Sequence, residues 1–362
     1  MSSAIGNIIK TTVFGESHGI AIGAVMDAPP SGYFINEDEI LVQMSRRAPG
    51  QSKTATSRKE SDTPEFLSGL LEGKTTGAPL AVMIRNSSQH SSDYESLKST
   101  PRPSHADYPA SVRYNGFNDI RGGGNFSGRL TAPMVALGSV ARQILKANGI
   151  TVGGHVLKIG NVCDEKFDPV NITANELDNL NNQYFSVISE NAKQQMTELI
   201  GQKAAEGDSI GGIVEIAVTG LPAGIGSPTA RGIENVISSA VFAVPAVKGI
   251  EFGDGFAFAD LSGSEANDGM YYDNGKVKCK TNHQGGIGGG ISNGMPLIIR
   301  AALKPTPSIF KEQQTVDLET NKDTTLKIQG RHDPCIVPRA LPAIEAAVCL
   351  ALLDIYAEVK TL

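Results

Sequence analysis

"IGAVMDAPPSG", residues 22–32, carries an apolar run into two prolines and a glycine. Apolar residues bounded by turn formers read as a strand that ends in a tight turn. The run extends back to Ile20, and helical signals follow the turn. Asn36 with Glu39 three residues later matches a capping box, and Ile40, Leu41 and Met44 form an apolar stripe ending at Arg46 and Arg47. Cations in that position complement the helix dipole. "GGIVEIAVTGLPAG", residues 211–224, repeats the order of strand, Pro/Gly turn and helix. The echo predicts a duplicated strand-turn-helix unit.

Working outward, "PLAVMIR" from Pro79 and "PLIIRAAL" from Pro296 are two further strand candidates. A helix is predicted from about Thr131 to Asn148, with Leu137, Val140, Ala141, Ile144 and Leu145 on its apolar side and Gly149 as its C-cap. Two more helices are predicted to open with Ser227-Pro228 and Leu341-Pro342, because proline is tolerated in a first turn. The second, apolar nearly all round, reads as a buried core helix. Strands and helices alternate with no evident linker, so the prediction is one α+β domain over residues 1–362, helices packed on sheets.

Composition narrows the partners. Hydrophobic residues make up 40% and charged residues 19%, which is globular and not disordered. The 40 glycines exceed the usual share of about 7%, and predict many tight turns or close backbone approaches. A net charge of −6 argues against a nucleic-acid partner. The N-terminal residues lack a signal-peptide pattern, and "ALPAIEAAVCLALLDIYAEV" (340–359) is interrupted by Glu345 and Asp354. A cytoplasmic protein with no membrane partner is therefore expected. Cys163, Cys279, Cys335 and Cys349 form no C-x-x-C pair, so they are expected to be reduced, with no zinc site. His18 and Glu16 lack the helical spacing of a metal motif, and no metal is expected.

Chemistry gathers in the loops. "RPSHADYP", from Arg102, places Arg102, His105 and Asp107 among prolines that disfavour helix, so an ordered loop is expected. "RGGGNFSGR" then sets Arg121, three glycines, Ser127 and Arg129 before a helix, the pattern of an oxyanion or phosphate cradle. "GESHG" supplies His18, "RRAPGQSK" supplies Arg46, Arg47 and Lys53, and "GRHDPCIVPR" supplies Arg331, His332, Asp333 and Arg339. "NHQGGIGGGISNG" and "KPTPS" offer a glycine-lined slot with Lys304, Thr306 and Ser308 beyond it, or a glycine-packed turn between strands. Neither a preceding strand nor a downstream acidic residue supports a Rossmann site there. This many cations in the loops of an acidic chain favour a small polyanionic ligand.

In order and spacing, these motifs, together with "AVKGIEFGDGF", closely resemble the segments of the chorismate synthase family, from about residue 10 to the C-terminal helix. The resemblance implies a sandwich of antiparallel β-sheets around central helices, internally pseudo-repeated. It implies anti 1,4-elimination of phosphate from 5-enolpyruvylshikimate 3-phosphate, the last step of the shikimate pathway, with reduced FMN and no net redox change. NADPH or a separate flavin reductase would supply the reductant, and the usual assembly is a homotetramer. His18, His105 and Asp333 match the family's proton-transfer residues, and Arg47, Arg102, Arg129 and Arg331 match substrate arginines, with Arg46 beside them. The FMN contacts fall on Lys53, Asn125, Phe126, Ser127, Pro245, Ala246, Gly289, Lys304, Pro305, Thr306, Pro307, Ser308 and Arg331. The chain departs from the family pattern at Ser104, usually glycine, at Asn125, usually arginine, at Gly128, usually alanine, and at Leu130, usually acidic. Two competing readings are a flavin-dependent oxidoreductase on the same scaffold and a non-catalytic anion- or RNA-binding module.

Overall fold

The strands of the two echoed stretches, Ala21–Met26 and Gly212–Thr219, are each the third strand of a five-stranded antiparallel sheet. The computed structural model describes residues 3–50, 62–86, 97–328 and 333–360. Across the first sheet run Ala4–Ile5, Thr11–Gly15, Ala21–Met26, Leu80–Arg85 and Glu65–Ser68. Across the second run Val162–Cys163, Thr151–Ile159, Gly212–Thr219, Leu297–Leu303 and Val247–Phe252. Apart from the two-residue edge strands, both sheets follow one path. The first two strands pair antiparallel, the third lies at the far edge, and the fourth returns between them.

The helices among the described residues are α1 (Glu37–Arg47), α2 (Asp107–Arg113), α3 (Thr131–Ala147), α4 (Ala174–Leu180), α5 (Glu190–Ala205), α6 (Ile233–Phe242), α7 (Gly263–Ala266) and α8 (Val337–Val359). They complete the repeat. α1 and α6 each follow the second strand of their half, and α3 and α8 each follow the fourth. α3 packs on the first sheet and α8 on the second, and the two helices pack on each other between the sheets. The duplicated unit is thus larger than the echo that signalled it: two strands, helix, two strands, helix. α4 and α5 are inserted only in the second half.

Several boundaries differ from the sequence expectations for local reasons. Asn36 caps α1 by accepting from the Asp38 N–H (3.0 Å), but its own N–H goes to Gln143 Oε1 on α3 (2.7 Å) and not to Glu39. A tertiary contact therefore replaces the capping box. After Ser227-Pro228 the chain makes one 3-10 turn, Thr229–Arg231, and α6 begins only at Ile233. α8 opens four residues early at Val337, with Pro338 in its first turn and Pro342 inside the helix. Pro342 forgoes one backbone bond to the carbonyl of Pro338, in a helix held by burial on nearly every face. That helix is long and apolar enough to cross a membrane, yet it forms the centre of the core. Where α3 crosses it, a Cβ on Gly138 would lie 2.3 Å from that of Ala346, so only glycine permits this approach.

Two charge clusters are buried beside this core. Arg46 is not a ligand-facing cation. Its guanidinium donates to Glu345 on α8 (2.7 and 3.1 Å), Gln43 Oε1 (2.6 Å), the Gln183 carbonyl (3.0 Å) and Ser186 (3.1 Å). Arg142 also donates to Glu345 (2.7 Å), and Glu345 is fully buried. Burial alone would raise the Glu345 carboxyl, but Arg46 and Arg142 outweigh it and hold it below the usual range.

In the second sheet, His155 is fully buried with Nδ1 2.9 Å from Asp164 and Nε2 3.0 Å from Glu215. Arg300 donates to the other oxygen of Glu215 (2.8 Å). Burial would lower the His155 pKa, but the two carboxylates outweigh it and raise it above the ordinary 6.5. A raised folded value contributes stability that is complete below about 6.5 and is lost as pH rises through the folded value. Asp62, Asp107, Asp164, Glu215 and Glu345 have the opposite shift, so their contribution is lost as pH falls below the ordinary carboxylate range. We expect a denaturant midpoint that is highest near pH 5 to 6 and falls on both sides, as an order-of-magnitude window. His155→Gln should flatten the alkaline limb; an unchanged limb would rule out His155 as its cause.

Candidate active site

A cavity of about 710 Å³ opens where corresponding segments of the two halves meet. From the first half come Arg47 and Pro49, just after α1, and residues between Ser104 and Thr131 ahead of α3. From the second come Phe242 to Lys248 at and after the end of α6, Lys304, Thr306 to Ser308, Asp333 and the start of α8. Its charged lining among the described residues is Arg47, Arg129, Lys248, Lys304 and Arg339 against the single carboxylate of Asp333. Phe126, Phe242, Val244 and Ile336 add an apolar wall. A second cavity of about 670 Å³ lies across Asn125 and Phe126, but its charged residues, Glu16 and Asp119, have the wrong sign for a polyanion.

The arginines are fixed by groups behind and within the lining. Arg47 and Arg129 grip opposite oxygens of the buried Asp62. Arg47 also donates to Thr131 Oγ1 and the Gly128 carbonyl (both 3.1 Å), and Arg129 donates to Asn86 Oδ1 (3.0 Å). Burial would raise the Asp62 carboxyl, yet the two guanidinium groups hold it below its usual range. Both forks are therefore oriented before any ligand arrives. Asp333 is paired with Arg339, whose Nε donates to the Arg47 carbonyl (3.1 Å). This contact ties the two halves together at the cavity.

Arg102, His105 and Asp107 form a cluster, although Asp107 opens the short helix α2 and does not stay in the expected loop. Asp107 accepts from the Arg102 backbone N–H (3.0 Å), Nε (2.7 Å) and Nη2 (2.8 Å), and Arg102 Nη1 reaches Ser308 (3.4 Å). Arg102 is buried behind the lining. His105 lines the cavity with its Nδ1 2.6 Å from Asp107.

The glycine-rich turn differs from the cradle the sequence suggested. Gly122, Gly123 and Gly124 take φ values of 59°, 83° and 50°, a left-handed run ahead of the helix and not its N-terminus. A Cβ on Gly122 would meet the His18 ring at 2.2 Å, so His18 sits behind the cavity wall and packs against that turn. Arg121 turns away to Asp119 (2.8 Å).

Asn125, Phe126, Ser127, Pro245, Ala246, Lys304, Thr306, Pro307 and Ser308 all line the cavity, and Pro305 and Gly289 do not. Gly289 lies in the turn of a small hairpin, Ile287–Gly288 with Ile291–Ser292, which makes "NHQGGIGGGISNG" a glycine-packed turn between strands. Lys53 and Arg331, both expected at the site, lie outside the described residues. Asp62, Asn86 and Lys248 were not anticipated. No local motif marks the first two, whereas Lys248 lies within "AVKGIEFGDGF".

Two antiparallel sheets enclosing paired helices, with a cation-lined cavity between matching halves, define an α+β protein. Residues 9–357 match the model of the chorismate synthase family. The chorismate synthase of Thermococcus kodakarensis is 45% identical over 349 residues, covering 96% of each chain. That of Dehalococcoides mccartyi strain BAV1 is 44% identical over 98% of this chain and 96% of its own. A crystal structure of a chorismate synthase superposes with a TM-score of 0.75 at 26% identity, covering 98% of this chain and 93% of that one. The chain belongs to the chorismate synthase family.

Proposed function

We propose that the chain is a carbon-oxygen lyase that removes a proton and phosphate in a 1,4-relationship from 5-enolpyruvylshikimate 3-phosphate, giving chorismate. The observation that carries this reading is the lining: five cations against one carboxylate among the described residues, in a chain of net charge −6. A substrate with one phosphate and two carboxylates needs that excess, and oriented guanidinium forks bind such groups bidentately.

The cavity also suits a flat heteroaromatic ring carrying a phosphate, as in FMN. Phe126, Phe242, Val244 and Ile336 supply an apolar face, and Thr306 Oγ1 is buried with no hydrogen-bond partner. Lys304 would hold the phosphate; burial and neighbouring Lys248 lower its pKa, and an anion would reverse that pressure. The chemistry supplied by bound, reduced FMN would be transient electron donation that loosens the carbon-oxygen bond, with no net redox change. Arg47 and Arg129 hold the anionic groups. His105 gives a proton toward the departing phosphate from its cavity side, and Asp333, held by Arg339, serves proton removal. His18 acts from behind the wall by fixing the Gly122 turn. A cytoplasmic homotetramer accords with this reading, and exposed Ile20, Phe117, Phe256 and Tyr272 offer apolar contact surface.

The test is an anaerobic assay with chemically reduced FMN and 5-enolpyruvylshikimate 3-phosphate, following chorismate, phosphate and the flavin spectrum. Both products should accumulate over many turnovers while the flavin stays reduced. Oxidation in step with product would establish an oxidoreductase instead. Adding NADPH with oxidised FMN then tests whether the chain reduces its own flavin.

A further inference from the structure

One ring nitrogen of His105 can move a proton only if the other nitrogen is held in a fixed state, and the structure shows what holds it. Asp107 is buried, and its Oδ1 lies 2.6 Å from His105 Nδ1. Burial would raise the Asp107 carboxyl, but hydrogen bonds from Arg102 and His105 hold it well below the usual range. It is therefore an ionised, acceptor-only group. An unprotonated Nδ1 at 2.6 Å would set lone pair against lone pair, so the hydrogen lies on Nδ1. Arg102 Nη2 lies 3.0 Å from the same nitrogen but has a better acceptor in Asp107 Oδ1 at 2.8 Å. Across the ring, Cε1 and Nε2 face Gly123, where even a Cβ would be only 3.5 and 3.6 Å away. Ser104 takes φ 57°, unusual for a residue with a side chain, where the chain turns between Arg102 and His105.

We propose that Asp107 is a positioning residue: it keeps the neutral His105 hydrogen on Nδ1, so that Nε2, the ring nitrogen away from Asp107, is the nitrogen that takes up and returns the proton. The proposal rests on the reading of His105 as the proton-transfer group. Arg102 acts one step further back, aligning the Asp107 carboxylate, and is not itself a ligand contact in this arrangement.

The first test needs no variant. In folded, ¹⁵N-histidine-labelled protein above the titration of His105, its Nδ1 should be the hydrogen-bearing nitrogen; a hydrogen on Nε2 would overturn the proposal. Asp107→Asn should then move the hydrogen toward Nε2 and lower kcat about 10²-fold or more with a much smaller change in KM. Asp107→Glu should restore part of the rate. If Asp107→Asn loses only stability or substrate affinity, with the tautomer unchanged, Asp107 serves Arg102 alone and the proposal fails. Normal turnover in His105→Gln would instead defeat the underlying reading, whatever Asp107→Asn does.

Discussion

Glu345→Ala is expected to lower stability by about 3 to 5 kcal/mol, the cost of leaving buried charge without its partner. Glu345 is fully buried and answers both Arg46 and Arg142, which come from α1 and α3. The substitution therefore leaves two guanidinium groups facing an empty acceptor position in the middle of the helix layer. Against a typical total of 5 to 15 kcal/mol, the loss is about a third or more of what holds a domain folded. Urea denaturation followed by circular dichroism measures it. A loss below about 1 kcal/mol would mean that the ion cluster contributes little. Replacing the whole cluster by apolar residues of matching volume should be far less damaging than removing one member, because no unpaired charge then remains.

His105→Gln should reduce turnover by about 10² to 10⁴-fold, the usual contribution of a positioned acid or base. The fold should be unaffected, since the side chain is 19% exposed and supports no core contact. Steady-state turnover in the anaerobic assay gives the number, and an equal denaturation midpoint separates lost chemistry from lost structure. A decrease of less than about threefold would remove His105 from the proton path.

The contrast between Arg46 and Arg47 shows how far sequence reading reaches. Both end the same apolar stripe, and dipole complementarity explains both equally. Only the fold separates them: one residue's rotation about the helix sends Arg46 into the core toward Glu345 and Arg47 toward Asp62 and the cavity. Motifs whose members are close in the chain were legible, as with Arg102, His105 and Asp107, because a short segment of proline-rich chain keeps them together. Asp62 was not legible, because its meaning depends on two arginines from different elements. Central strands were read almost to the residue from their apolar runs. Thr11–Gly15 was missed, where threonines and a glycine give little apolar signal, and so was Thr151–Ile159, whose glycines and buried His155 interrupt the pattern. The helix starts at Ile233 and Val337 were misplaced because proline was taken as a beginning in both. In one it precedes a separate turn, and in the other burial carries the helix through it.

Because the cavity is framed by corresponding segments of a repeated unit, its chemistry has a direction that the frame does not. A seat shared by two identical halves would present every group twice and accept a ligand equally in two orientations related by a two-fold axis. Here the histidine-carboxylate pair stands ahead of α3, while the matching stretch at the entrance to α8 carries Asp333 and, in the helix's first turn, Arg339. Joining both halves in one chain lets each vary alone. The result is a polar seat in a near-symmetric housing, with the His105-Asp107 pair on one side and the Asp333-Arg339 pair on the other.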